Sequence, residues 1–339
     1  MKVLKLVIRR LKNLQKERFK KTVDIIHQNT GKSKLYIKFD MFCNFIVRGS
    51  GYTDYFRCNF IELTKKEKKT FLTTVKFFKI ADYLNDENYE FVLKDKTIFN
   101  HVFREFIGRG FIDLRQSNYE DFCSFLEKEE IVFAKKPTGE SGYGVSKIIV
   151  GEEDTKKLYD KLVSLDQTLI EQAIIQSKEA NEINANVVNS FRVVTLLKDG
   201  IPHVLCNGIR TNQDKNPVIG ATNDLYFTMG EDGKIASNVI DDFANVYEVH
   251  PLNGKRFKDI QLNGIKEAFE MCKEASLRIP QVRIIGWDVA LTDDGPILIE
   301  GNEYTGFGFM QFYKLSGKRT GLLKDISDIL GDEMKNIKL

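Results

Sequence analysis

The chain is poor in the residues that most often announce a chemistry. Its five cysteines (Cys43, Cys58, Cys123, Cys206, Cys272) are scattered through 339 residues with no CxxC pair, which predicts reduced, mostly structural thiols. The four histidines are equally dispersed, which leaves no histidine-based zinc site. No apolar run approaches the length of a membrane span and no signal-peptide core is visible, so a cytoplasmic protein is expected. A net charge of +3 is too small to imply nucleic acid, and neither a helix-turn-helix nor a zinc-finger spacing occurs, so no nucleic-acid partner is expected. Low-complexity segments and internal repeats are lacking too. What remains, 42% of it hydrophobic, suits two or three packed subdomains of ordinary type.

One region breaks the charge balance. Residues 1–21 hold nine Lys or Arg against a single acid, Glu17, and Leu4, Val7, Leu11 and Leu14 recur at helical spacing. Two uses fit such a basic amphipathic helix. One is peripheral association with an anionic membrane surface, at the inner face of the membrane. The other, the simpler, is packing of its apolar stripe on the protein body.

Residues 35–62 read as short aromatic-rich segments with turns at Gly49-Ser50-Gly51. Thr64 and Glu67 form a capping box ahead of a helix carrying Phe71, Leu72, Val75 and Phe78. A helix is predicted from Thr97 to the glycines at Gly108-Arg109-Gly110, then helices over 119–129 and 153–165 and strands over 131–136, 145–150 and 168–174. From Ala185 the pattern is largely β, interrupted by a helix over Ile260 to Leu277. The division this implies is an α-rich region over 1–90, a central lobe over 91–175 and a C-terminal lobe over 176–339.

The most informative segment is the last hairpin, from Gly286 to Asn302. A three-residue loop, Asp293 to Gly295, would pair Thr292 with Pro296 and, counting back, set Asp288 opposite Glu300. Asn302 lies two residues on and shares the face of Glu300. Three oxygen-bearing side chains then converge, as a hard cation such as magnesium requires. Ordinary exposed strand residues are the competing explanation.

Upstream, Phe133 to Val145 reads as a strand, a glycine-rich turn and a return strand. Gly139, Gly142 and Gly144, with Ser141 among them, let backbone amides approach phosphate oxygens. Val145 stands where a Walker loop needs lysine and no helix follows, so the Walker and Rossmann readings fail. Lys136, on the strand before the loop, can point at the same phosphates, and Lys96 opens a helix after an apolar strand where a cation can reach an anion. Glu171, Gln172, Ala173 and Ile174 end a buried strand and can offer backbone groups to a purine edge. Glu179 follows as a candidate for ribose hydroxyls. Arg210 and Lys215 are candidates for contact with an acidic acceptor, or surface charges.

In that order, Lys96, Lys136 with its glycine loop, the Glu171 segment, Arg192, then Asp288, Glu300 and Asn302, the chain resembles the ATP-grasp superfamily over roughly residues 90–305. The closing motif GWDVALTDDGPILIEGN and the helical front look similar to the sugar-transfer-associated ATP-grasp family. The resemblance implies an α+β fold in which two lobes sandwich ATP behind an N-terminal α-rich region. It implies ATP and Mg2+ as cofactors, with Lys96 and Lys136 on the phosphates, adenine on the Glu171 to Ile174 hinge, and Asp288, Glu300 and Asn302 on the metal. It further implies that Arg192 stabilises the transferring phosphate. The activity implied is ADP-forming ligation of a carboxylate to an amine, on small-molecule or glycan-linked substrates, in surface-polysaccharide synthesis. A sugar kinase and a non-catalytic ATP-binding module are the alternatives. D-alanine ligase-like enzymes carry an arginine two residues before the metal aspartate, where this chain has Gly286, so a D-amino-acid substrate is not expected.

Overall fold

The computed structural model describes residues 15–139, 144–215 and 223–339. The basic segment's apolar stripe, Leu4, Val7, Leu11 and Leu14, and Ser141 and Gly142 of the glycine loop, lie outside the described residues.

The front of the chain is helical: α1 (Lys16–Thr30), α2 (Lys34–Arg48), α3 (Tyr52–Arg57) and α4 (Thr74–Leu84). The aromatic-rich stretch expected as short segments is therefore one long helix, α2, then the expected break at Gly49-Ser50-Gly51 and two short helical pieces, α3 and Phe60–Glu62. Ser33 caps α2 by accepting from the Tyr36 amide, and Gly49 ends it in the left-handed conformation. Ile37, Met41 and Asn44 are its buried positions, so a helical repeat was present beneath the aromatic content. The Thr64–Glu67 capping box is formed, but it opens only a four-residue turn, Lys65–Lys68.

A short helix, α5 (Lys96–Val102), is capped by Asp95 and follows a helical turn, Phe91–Lys94, not the apolar strand expected there. Beyond it, β1 (Phe111–Asp113), β2 (Ile131–Lys135), β3 (Val145–Ile149) and β4 (Leu169–Gln172) form an antiparallel sheet in the order β1-β4-β2-β3. Val132, Ala134 and Ile170 on one face pack against α6 (Tyr119–Leu126) and α7 (Thr155–Ser164). After α8 (Lys178–Ile183) comes a seven-stranded antiparallel sheet: β5 (Ser190–Lys198), β6 (Ile201–Asn212), β7 (Asp224–Phe227), β8 (Val239–Asp241), β9 (Val246–Tyr247), β10 (Ile284–Thr292) and β11 (Gly295–Asn302), ordered β11-β10-β5-β6-β7-β8-β9. Phe191, Val193, Ile285, Trp287 and Val289 on one face pack against α9 (Ile265–Ser276). On the other face Val194, Leu196 and Ile284 meet α4 and α10 (Leu322–Leu330).

The hairpin register corrects the expected turn while keeping its consequence. Thr292 pairs with Gly295 across a two-residue loop, Asp293-Asp294, and a bulge between Asp288 and Val289 takes up Ile299. The two one-residue differences cancel, and Asp288 still faces Glu300. The bulge is held from outside the hairpin: Leu298 N donates to Phe106 O, and Arg109 donates to the carbonyls of Leu298 (2.6 Å) and Ile299 (3.2 Å).

Candidate active site

Strand pairing lays the charged groups in a row. Glu300 of β11 is paired with Asp288 of β10, and Asp288 with Arg192 of β5. Alternation puts all three on the face opposite Trp287. Arg192 grips Asp288 with two bonds, Nε to Oδ1 at 2.5 Å and Nη2 to Oδ2 at 2.7 Å, the fork geometry of a strong charge-assisted pair. Its remaining nitrogen donates to Thr305 Oγ1 at 2.6 Å, and Ser190 Oγ donates to Asp288 Oδ1 at 3.1 Å. Burial works against the charge of Arg192, and Asp288 and then Glu300 more than restore it.

Thr305 explains why position 286 is glycine. A Cβ there would lie 1.9 Å from Thr305 Oγ1, so only glycine lets Thr305 sit under the Arg192 guanidinium. The residue is where D-alanine ligase-like enzymes carry arginine; here the neighbouring volume belongs to Thr305.

Glu300 is short of positive charge. Burial first, then the charge of Asp288, push its carboxyl above the usual range, while Arg192 and Lys96 work against the rise. Asn302 Nδ2 lies 3.3 Å from Glu300 and 3.5 Å from Asp288, so turning the amide over presents its carbonyl oxygen instead. Among the described residues no group of three His, Cys, Asp or Glu is placed to hold a metal. Two carboxylates and, with its amide turned over, the Asn302 carboxamide oxygen form an all-oxygen donor set of the kind that fits magnesium.

The small sheet faces this row through a second buried cluster. The Glu171 carboxylate is 2% exposed and accepts from Arg109 Nη2 at 3.0 Å, Asn100 Nδ2 at 2.5 Å and Lys135 Nζ. Burial alone would raise its pKa, but Lys135 and Arg109 dominate and hold it at about 2. Glu171 is therefore committed by its side chain as well as by its place at the end of β4. Gln172 is committed too: its Oε1 accepts from Gly110 N at 2.5 Å, closing the Gly108–Gly110 loop onto the strand. Ala173 and Ile174 follow, both half-buried, with backbone leading into the link toward α8.

Strand alternation separates the two adjacent lysines. Phe133 pairs with Glu171 and Lys135 with Leu169, so Lys135 shares the face of Glu171. Val132 and Ala134 point into the helix-side core, and Lys136, one residue past the strand, continues their side; its stem lies against Gly144, and its N–H donates to Gly144 O at 3.1 Å. Lys96 reaches the glycine loop directly: its N–H donates to Pro137 O at 2.8 Å and its Nζ to Gly139 O at 2.5 Å. Glu179 sits in the first turn of α8 and accepts from Asn263 at 3.1 Å, while the neighbouring Lys178 N donates to Asp293 Oδ1 at 3.1 Å at the tip of the hairpin. Arg210 is paired with Asp224. Lys215 is exposed.

Sequence reasoning missed Asn100, Arg109, Lys135, Ser190 and Thr305. Ser190 was open to discovery, being two residues before Arg192 on the same strand face. Arg109 stood between two glycines, a hint that its backbone turns sharply, but its partners are distant in the chain.

Two α+β lobes with a glycine-rich hairpin on the smaller and a carboxylate hairpin on the larger make this an ATP-grasp fold. The family model for sugar-transfer associated ATP-grasp matches residues 128–327, and the chain belongs to that family. No curated protein matches it. Solved structures similar to it include VanG D-Ala:D-Ser ligase from Enterococcus faecalis, at 15% identity and a TM-score of 0.43, covering 70% of this chain and 62% of that one. An L-amino acid ligase from Bacillus licheniformis is similar at 14% identity and a TM-score of 0.41, covering 71% and 48%. A carboxyaminoimidazole ribonucleotide synthase from Aspergillus clavatus, complexed with ATP, is similar at 11% identity and a TM-score of 0.40, covering 64% and 46%. The chain spans less than two thirds of the length of each.

Proposed function

We propose that the protein is an ADP-forming ligase that joins a carboxylate to an amine through an acylphosphate, on an acceptor used in cell-surface polysaccharide synthesis. The single observation that carries this is the row Glu300, Asp288, Arg192 on paired strands, with Lys96 donating into the glycine loop and its charge acting on Glu300. The sugar-transfer association of the family supports a glycan-linked acceptor.

Asp288, Glu300 and the Asn302 carboxamide would hold magnesium, which when bound neutralises charge on the ATP phosphates. Lys96 and the backbone around Gly139 and Gly144 would hold the phosphates from the other side. A carboxylate oxygen of the substrate attacks the γ-phosphorus, the bond to the β-phosphate oxygen breaks, and ADP leaves. The nucleophile is already an anion, so no protein base is needed for this step. Arg192, held by Asp288 and Thr305, sets a fixed positive charge beside the carboxylates, where it would stabilise the oxygens that gain charge. The amine then attacks the acyl carbon, inorganic phosphate departs with the C–O electron pair, and the amine loses a proton.

Incubation with magnesium, ATP, candidate carboxylates and hydroxylamine tests the reading. Carboxylate-dependent ADP release with a hydroxamate is expected. A stable phosphorylated hydroxyl acceptor without hydroxamate would make the protein a kinase, and tight ATP binding with no ADP from any acceptor would make it a binding module. Asp288→Ala is expected to lower magnesium-dependent turnover by about a hundredfold or more, with the circular dichroism spectrum retained.

A further inference from the structure

We propose that the outer face of α2 is a docking surface for an anionic lipid bilayer. The inner face of this helix, Ile37, Met41 and Asn44, is buried against the helical front. The outer face is apolar and uncovered among the described residues: Leu35 is 80% exposed, Phe39 64%, Phe42 61% and Ile46 65%. These four positions recur at steps of four, three and four, so they fall on one narrow stripe along the helix. Large apolar side chains standing singly at a surface need no explanation, but a contiguous stripe of them marks an interaction site.

Charge decides the partner. The first 48 residues hold thirteen Lys and Arg against three Asp and Glu, whereas the remaining 291 hold 38 against 45. The excess of positive charge in a slightly basic protein is thus concentrated at the end that carries the stripe. Two of the three acids are spent internally: Asp24 on Lys34 at 2.6 Å, and Asp40 on Tyr55 at 2.5 Å and Lys68 at 3.8 Å. Lys34 and Lys38 lie one turn apart on the flank of the stripe; Lys34 is held by Asp24, and the Lys38 stem can lie along an interface with its ammonium outward. A helix with an apolar aromatic face and basic flanks lies in the plane of a bilayer containing anionic lipid. A second copy of this chain is the poorer partner, because two-fold pairing of the stripe sets the same excess of positive charge against itself.

The test is sedimentation of the full chain with vesicles of phosphatidylcholine alone and of phosphatidylcholine mixed with phosphatidylglycerol. Binding is expected only to the mixed vesicles. The double substitution Phe39→Ser, Phe42→Ser is expected to weaken it by about tenfold or more, and Lys34→Gln with Lys38→Gln to weaken it and reduce its salt dependence. Phe42→Trp keeps the stripe and should shift its emission to the blue on mixed vesicles, against the constant signal of the buried Trp287. The proposal is overturned if the serine variant binds vesicles like the parent. It is also overturned if the parent is a dimer that this variant dissociates, or if the variant loses melting temperature while neither protein binds vesicles.

Discussion

Glu171 and Gly286 carry two kinds of obligation, one electrostatic and one steric. Among the described residues Glu171 is the only acid paired with Lys135 and Arg109, so Glu171→Gln leaves two cations without that counter-charge. A loss of about 3–5 kcal/mol is expected, read as a lower urea midpoint. The pH dependence has a definite sign. The folded carboxyl sits at about 2 against an ordinary 4.5, so its stabilisation is full above 4.5 and disappears as the pH falls toward 2. The Gln variant should lose that part of the acid transition. Gly286→Ala places a methyl where Thr305 Oγ1 now lies. It should cut turnover by displacing the partner of Arg192, and Thr305→Ala alone should cut it to a similar extent. Activity equal to the parent in both variants would instead show that Arg192 does not depend on Thr305 for its position.

Among the elements, β2 and the closing hairpin show what a strand pattern does and does not disclose. The glycine loop, the return strand and the opposition of Asp288 to Glu300 were legible because period-two alternation and turn residues are local signals. Lys136 was placed at the phosphates from its position on the strand before the loop; the ladder puts Lys135 on the face of Glu171 and Lys136 on the other, with its stem against Gly144, a parity set by pairing with β4. Lys136→Met is expected to weaken ATP binding by about tenfold, and Lys135→Met, whose ammonium is paired with Glu171, to act first on stability, in equilibrium titrations and melts of the variants. The reverse order would make Lys135 the phosphate lysine. The bulge at Ile299 was illegible for a similar reason: Arg109 and Phe106 impose it, and neither is near the hairpin in sequence. In α2 the difficulty ran the other way, since aromatic and β-branched residues obscured a helix whose caps, Ser33 and Gly49, were readable.

At the scale of the molecule, Arg109 is a residue that bonds to both sheets. It donates to Glu171 on the small sheet and to two carbonyls of β11 on the large one, while being 3% exposed at its side chain. Arg109→Met should lower the melting temperature and raise amide hydrogen exchange in β4 and β11 together. Exchange rising in one sheet alone would mean that the lobes are held elsewhere. None of the described helices is long and apolar enough to cross a membrane.

The bulge at Ile299 has a mechanical meaning. The carbonyls that Arg109 grips belong to the two residues immediately before Glu300, on the same stretch of backbone. A swing of the small sheet therefore pulls on the strand that aims Glu300, the carboxylate proposed to hold magnesium. On that proposal the angle between the lobes and the hold on the ion would be two dials on one shaft.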